Sequence, residues 1–208
     1  MKTWRRSLLL LTATSTLLLT GCTGGGSSAR SKLEAAQSVY RTMSGCTAQA
    51  EITADYGQRV YGYTVDLTVQ GGSGVMTVKQ PENLAGTVLT WSDGETQLAF
   101  DGTELDTGTL SDSGLSPADA MPTILTACQG GEIVDCCMEE QEGGQVLHGT
   151  LDLDGDQGGQ IQCWFQPDSY GLLRAELSQD GVTVVTMQFS DFSFTFPEGG
   201  VEDGGGSQ

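Results

Sequence analysis

The feature that most narrows the fold is an alternation. Tyr61, Tyr63, Val65, Leu67 and Val69 are apolar, and Gly62, Thr64, Asp66 and Thr68 between them are small or polar. Successive side chains of a strand point to opposite faces, so this pattern makes a strand with one buried and one wet face. Such strands belong to antiparallel sheets covered on one side. Gly71-Gly72, Asp93-Gly94, Asp101-Gly102 and Asp180-Gly181 are turn pairs that return one strand beside the next.

Taken in order, the chain alternates two strand runs with two helices. Ser31 and Glu34 have capping-box spacing. Leu33, Ala36, Val39, Tyr40 and Met43 then follow helical spacing, and Gly45 stands where a helix stops. These predict an amphipathic helix over 32–44. Val75 to Lys79 reads as a strand that Pro81 ends. Leu84–Trp91, Thr96–Phe100 and Glu104–Leu110 follow as strands. Ser116-Pro117 then opens a second helix, with Asp119 in its first turn. Met121, Ile124, Leu125 and Cys128 carry its apolar stripe, Pro122 kinks it, and Gly130 closes it.

The second strand run starts near Glu132. Its apolar faces hold Leu147, Leu151 and Leu153, then Ile161, Cys163 and Phe165, then Leu173, Ala175 and Leu177. Thr183, Val185, Met187 and Phe189 share one face of the last strand. Phe192, Phe194 and Phe196 continue it with the parity shifted by one, which predicts a bulge near Ser190-Asp191. Helix, strand meander, short helix, strand meander is an α+β order built on an antiparallel sheet.

The N-terminus sets location. Lys2, Arg5 and Arg6 precede an apolar run, Leu8 to Leu19, that is too short to span a bilayer. Leu19-Thr20-Gly21-Cys22 resembles a lipobox, the maturation site of bacterial lipoproteins. That resemblance implies a signal peptide at 1–21, acylation of Cys22, and an extracytoplasmic protein anchored to the cell membrane, or to an outer membrane where the source has one. Palmitate-type chains of this kind hold stably when two or more are attached. Residues 22–30 are Gly/Ser-rich and read as a flexible tether, 31–197 as one domain, and the acidic, Gly-rich 198–208 as disordered.

Without residues 1–21, six basic residues face 27 acidic ones, a formal charge of −21. Such a surface repels nucleic acid, so no nucleic-acid partner is expected. Five cysteines follow Cys22: Cys46, Cys128, Cys136, Cys137 and Cys163. None has the paired spacing of a zinc site, and an odd number leaves at least one thiol unpaired within the chain. Adjacent Cys136 and Cys137 would point to opposite faces of a strand.

Val75-Met76-Thr77-Val78-Lys79-Gln80-Pro81, then Trp91-Ser92-Asp93-Gly94 and Leu98-Ala99-Phe100, resemble the lipoprotein-carrier and outer-membrane lipoprotein-sorting family (LolA/LolB-like). The family pattern is a strand ending in a basic-x-Pro step, a strand, an Asp-Gly turn and a strand. The resemblance implies an antiparallel, unclosed half-barrel with helices across its concave face. Soluble carriers of that family are not tethered, whereas this chain carries an anchor at Cys22. It therefore resembles the membrane-anchored relatives more closely, and no carrier-specific residue transfers to it.

Catalytic chemistry has little support. His148 is the only histidine, and parity puts it on the wet face with Val146, Thr150 and Asp152. No nucleophile motif accompanies it, so the chain reads as non-enzymatic and needing no cofactor. Asp152, Asp154 and Asp156 offer hard oxygen ligands, but they lack the glycine position and distal Glu of a calcium loop and read as a polar turn. Tyr61, Tyr63, Val65, Leu67, Leu98, Phe100, Leu173, Leu177, Met187 and Phe189 are the candidate lining of one concave side. Two readings stand. Either that face holds a lipid, an acyl chain or a lipoprotein, or it is filled and the domain meets a protein partner in envelope or spore assembly.

Overall fold

The structure is a computed structural model, and it describes residues 25–109, 115–152 and 159–197. The expected signal peptide, Cys22, Leu153, Asp154, Asp156 and the acidic tail lie outside the described residues.

The elements run α1 (Gly25–Thr42), β1 (Gly45–Asp55), β2 (Val60–Gln70), β3 (Ser73–Gln80), β4 (Val88–Ser92), β5 (Glu95–Phe100), β6 (Thr103–Thr109), α2 (Pro117–Gly130), β7 (Glu132–Gln141), β8 (Gly144–Asp152), β9 (Gly159–Phe165), β10 (Leu172–Gln179) and β11 (Val182–Thr195). The strands form one antiparallel sheet in the order β6-β5-β4-β3-β2-β1-β11-β10-β9-β8-β7. β6 and β7 are its two edges, so the half-barrel stays open. The two meanders meet where β1 pairs with β11. The fold class is the expected one: α+β, an unclosed antiparallel sheet with two helices. No described helix is long and apolar enough to cross a membrane.

Turn chemistry explains the meander. Asp93-Gly94, Asp101-Gly102, Asp180-Gly181 and Gly71-Gly72 all have positive φ at both residues. That is the twist a two-residue hairpin turn needs, and Asp and Gly tolerate it. The expected bulge is present: β1 and β11 lose register opposite Thr47–Gln49, and Asp191 adopts φ 53°. It turns Phe192 and Phe194 inward, where their rings meet Tyr40 at 6.2 and 5.1 Å.

Several elements differ from the sequence reading. α1 begins at Gly25, so the tether expected over 22–30 is helical from residue 25 onward. Ala29 extends the stripe of Leu33, Ala36 and Tyr40 by one turn and is fully buried, which supplies the driving force. Ser31 thus lies inside the helix and is not its cap. Gly45 has no positive φ. It starts β1, and a Cβ there would run into the carbonyl of Val69. Residues 84–87 are not strand: Glu82–Leu84 form a 3₁₀ turn, and Gly86 turns the chain at φ 86° before β4. β1 is absent from the sequence reading altogether. The second helix does match. Ser116 Oγ accepts the Asp119 N–H at 3.2 Å, and Pro117 occupies the first turn.

The core lies between the sheet and the helices. α1 packs on β7, β8 and α2, and α2 packs on β1 and β8. Tyr40 is completely buried; its hydroxyl donates to the carbonyl of Tyr170 at 3.1 Å. On the other limb, the ring of Trp91 lies over Gly74, its register partner on β3.

Candidate functional site

Cross-strand register arranges the covered face in rows. Leu67, Met76, Leu89, Leu98 and Leu105 are successive partners across β2, β3, β4, β5 and β6. The first three are 2, 4 and 5 % exposed, Leu98 is half-buried, and Leu105 is 58 % exposed. The row therefore leaves the core and ends in the open. Phe100, on the same face, is 41 % exposed, and Tyr61 is 39 % exposed. Tyr63 is half-buried. Tyr61 meets Tyr56 ring to ring at 6.1 Å, and the Tyr56 hydroxyl donates to the Leu115 carbonyl at 2.9 Å, just ahead of α2. Burial, then the nearby Tyr63, Tyr61 and Asp119, push the Tyr56 phenol above its ordinary range.

The ten candidate lining residues therefore divide. Val65, Leu67, Leu177, Met187 and Phe189 are packed in the core with the helices. Tyr61, Tyr63, Leu98 and Phe100 sit toward the uncovered limb. Leu173 is on the other face. β9 and β10 lose register between Leu172 and Arg174, so Leu172 takes the inward position opposite Phe165. Leu173 instead lines a shallow outer pocket of about 320 Å³ with Glu139, Gln141, Trp164, Arg174 and Gln188.

That outer face holds a polar cluster that sequence spacing did not disclose. Cys137, His148, Trp164, Arg174 and Gln188 are successive partners across β7, β8, β9, β10 and β11. Glu139 is two residues along β7 from Cys137, hence on the same face. Its Oε1 lies 2.6 Å from His148 Nδ1 and its Oε2 accepts from Trp164 Nε1 at 3.0 Å. The Cys137 Sγ is 3.8 Å from Glu139 Oε1 and 3.9 Å from His148 Nδ1. The imidazole stacks on the Trp164 indole, with 4.4 Å between centroids and 5° between planes. Arg174 covers the indole from the next strand, 5.3 Å from the ring centroid, and pairs with Glu176.

His148 does occupy the outer face, as parity predicts. It is not a freely solvated side chain, being 16 % exposed, and its Nε2 is buried without a hydrogen-bond partner. Burial pushes the Glu139 carboxyl up, but the Trp164 hydrogen bond and the His148 charge and hydrogen bond outweigh it and hold it below its ordinary range. Burial and the Glu139 carboxylate push the Cys137 thiol up, so it is a poor nucleophile as it stands. Asp152, half-buried, closes β8.

Cys136 and Cys137 do point to opposite faces. Cys136 packs toward the core, and Cys137 is exposed. Cys46, Cys128 and Cys163 are buried free thiols, and Cys128 Sγ lies 3.9 Å from Cys163 Sγ.

No family model and no curated protein matches the sequence. Similar chain courses occur among solved structures. A conserved protein of Thermus thermophilus aligns with TM-score 0.49 and 9 % identity over 82 % of this chain and 90 % of its own. The lipoprotein LppX of Mycobacterium tuberculosis aligns with TM-score 0.48 and 12 % identity, over 83 % and 97 %. A LolA superfamily protein of Nitrosomonas europaea aligns with TM-score 0.42 and 10 % identity, over 82 % and 94 %.

Proposed function

We propose that this chain is a lipid-anchored, extracytoplasmic lipoprotein without catalytic activity, and that it takes up an acyl chain at the uncovered end of its apolar face. The chain to be bound belongs to a lipid or to another acylated protein. The observation that carries this reading is the five-strand row from Leu67 to Leu105. Exposure climbs along it from 2 % to 58 %, Phe100 stands two residues along β5 from Leu98, and Tyr61 is exposed on the same face of β2. Contiguous exposed apolar surface on a soluble domain marks a binding site. Tyrosines beside it supply apolar ring area and a polar tip, which suits the boundary between an acyl chain and water. The lipobox-like Leu19-Thr20-Gly21-Cys22 and the signal-like stretch before it support the anchor. With a formal charge of −21 on the mature chain, the domain stands off an anionic bilayer, leaving the patch free.

A second reading has its own observation. Val65, Leu67, Leu177 and Met187 are all at most 2 % exposed, so the helices already fill the other half of the face. A filled face with a small apolar rim suits a protein partner in the envelope.

Titration with a neutral fluorescent acyl probe separates the two. The parent should bind saturably, and Leu105→Asp and Phe100→Asp should each weaken binding at least tenfold. Val182→Asp, at an exposed site by the β10–β11 turn, should bind like the parent. Absence of saturable binding in the parent rejects the acyl-chain reading and leaves the protein-partner one.

A further inference from the structure

We propose that Cys137, Glu139 and His148 form a binding site for a zinc-class divalent metal ion on the outer face of β7 and β8. The three side chains offer one thiolate sulfur, one carboxylate oxygen and one imidazole nitrogen, all within 4.8 Å of one another. Sheet geometry brings them together: Cys137 and Glu139 project from the same face of β7, and His148 is the direct partner of Cys137 on β8. Their linear spacing matches no familiar zinc motif, so the pairing of the strands creates the site.

The donor set selects the ion. Calcium and magnesium take oxygen ligands, whereas one sulfur, one nitrogen and one oxygen suit zinc and its neighbours. Zinc sits about 2.3 Å from sulfur and about 2.1 Å from nitrogen or oxygen. The separations of 3.8, 3.9 and 2.6 Å admit a position at those distances from all three atoms. Tetrahedral angles would open the Glu139–His148 gap to about 3.4 Å. The short contact opens when the proton between the two atoms is lost and the ion takes its place. Three protein ligands leave a fourth position for water.

The support around the cluster is that of a held ligand set. Trp164 Nε1 fixes Glu139 Oε2 and leaves Oε1 for the ion, as an outer-shell donor does in metal sites. Stacking on Trp164 fixes the imidazole plane. Arg174 reaches the Trp164 indole from the next strand, β10, and is paired with Glu176. The strongly acidic surface raises the local concentration of cations.

Proton balance is simple. The Cys137 thiol loses its proton to solvent as the sulfur–metal bond forms. A neutral imidazole presents Nδ1 to the metal and carries its proton on Nε2, so the proton held between Nδ1 and Glu139 Oε1 passes to Nε2 or to solvent. Binding therefore releases protons and strengthens as pH rises.

The test uses the full chain, reduced and stripped of metal. Zinc would be titrated in competition with a chromophoric zinc indicator, and cobalt(II) would be followed by its thiolate-to-metal charge-transfer absorption. One equivalent of zinc should bind, more tightly at pH 8 than at pH 6, and cobalt should give the thiolate band. Cys137→Ser and His148→Gln should each weaken zinc at least tenfold, and Cys137→Ser should remove the band. Cys136→Ser, on the next residue but the opposite face, should keep both. The proposal is overturned if the parent shows no saturable zinc binding, or if Cys137→Ser binds as the parent does.

Discussion

Gly149 lies directly beneath Leu33: a Cβ added to this glycine would stand 2.6 Å from Leu33 Cδ2. The residue on β8, one strand in from the β7 edge, is thus small because α1 rests on it. Leu33 is fully buried, with little room to retreat. Gly149→Ala is expected to cost about 1–3 kcal/mol by overpacking. Gly62→Ala, on the exposed face of β2 with nothing near its Cβ, should not destabilise. Urea melts of the two variants beside the parent check this, and equal stability of Gly149→Ala and the parent would mean that α1 yields freely.

The proposed anchor is tested at Cys22. Cys22→Ser should abolish lipid labelling and either release the protein or leave its precursor uncut. A processed Cys22→Ser protein that stays on the membrane would show that another feature holds it there.

What the sequence disclosed depended on how strongly each residue type speaks. Val, Leu and Tyr on β2 alternate with polar residues, and Asp-Gly turns demand positive φ, so the two meanders and the bulge at Asp191 were legible. β1, the strand joining them, buries Cys46, Ala48, Ala50, Ile52 and Ala54. Alanine has weak strand preference, and its small volume serves the crowded centre of the sheet, so the pattern was faint. Leu173 falls on the opposite face from the one its alternation predicts, because the register shift between β9 and β10 is set by the pairing of the two strands. The cluster of Cys137, Glu139 and His148 was hidden for a related reason. Its members meet through the β7–β8 register, which the sequence does not number. Cys137-x-Glu139 on one face of a strand was the only local clue.

Leu67 and Leu105 stand at the two ends of one cross-strand row and should respond oppositely to truncation. Leu67 is packed on all sides, so Leu67→Ala should cost about 2–5 kcal/mol through the cavity it leaves. Leu105 already faces solvent, so Leu105→Ala should change stability by less than about 0.5 kcal/mol. A large stability loss at Leu105 in denaturant melts would mean that its side chain is covered in solution.

The last prediction concerns acid. Glu139 has its carboxyl pKa lowered in the folded chain, whereas in the unfolded chain it titrates at about 4.3. Between the lowered value and about 4.3, the unfolded state holds more of the proton, so stability rises with pH across that window. The contribution is fully present above about pH 4.3 and is lost as pH falls through the folded value. Glu139→Gln keeps an oxygen for the Trp164 N–H but has no charge to lose. Urea melts in chelator, run at pH 7 and again near pH 3.5, should show the parent losing more stability on acidification than Glu139→Gln. Other carboxylates titrate alike in both proteins, so the difference reports the Glu139 carboxyl together with its His148 and Trp164 contacts. Equal losses would mean that the Trp164 and His148 contacts do not favour the ionised carboxyl in solution.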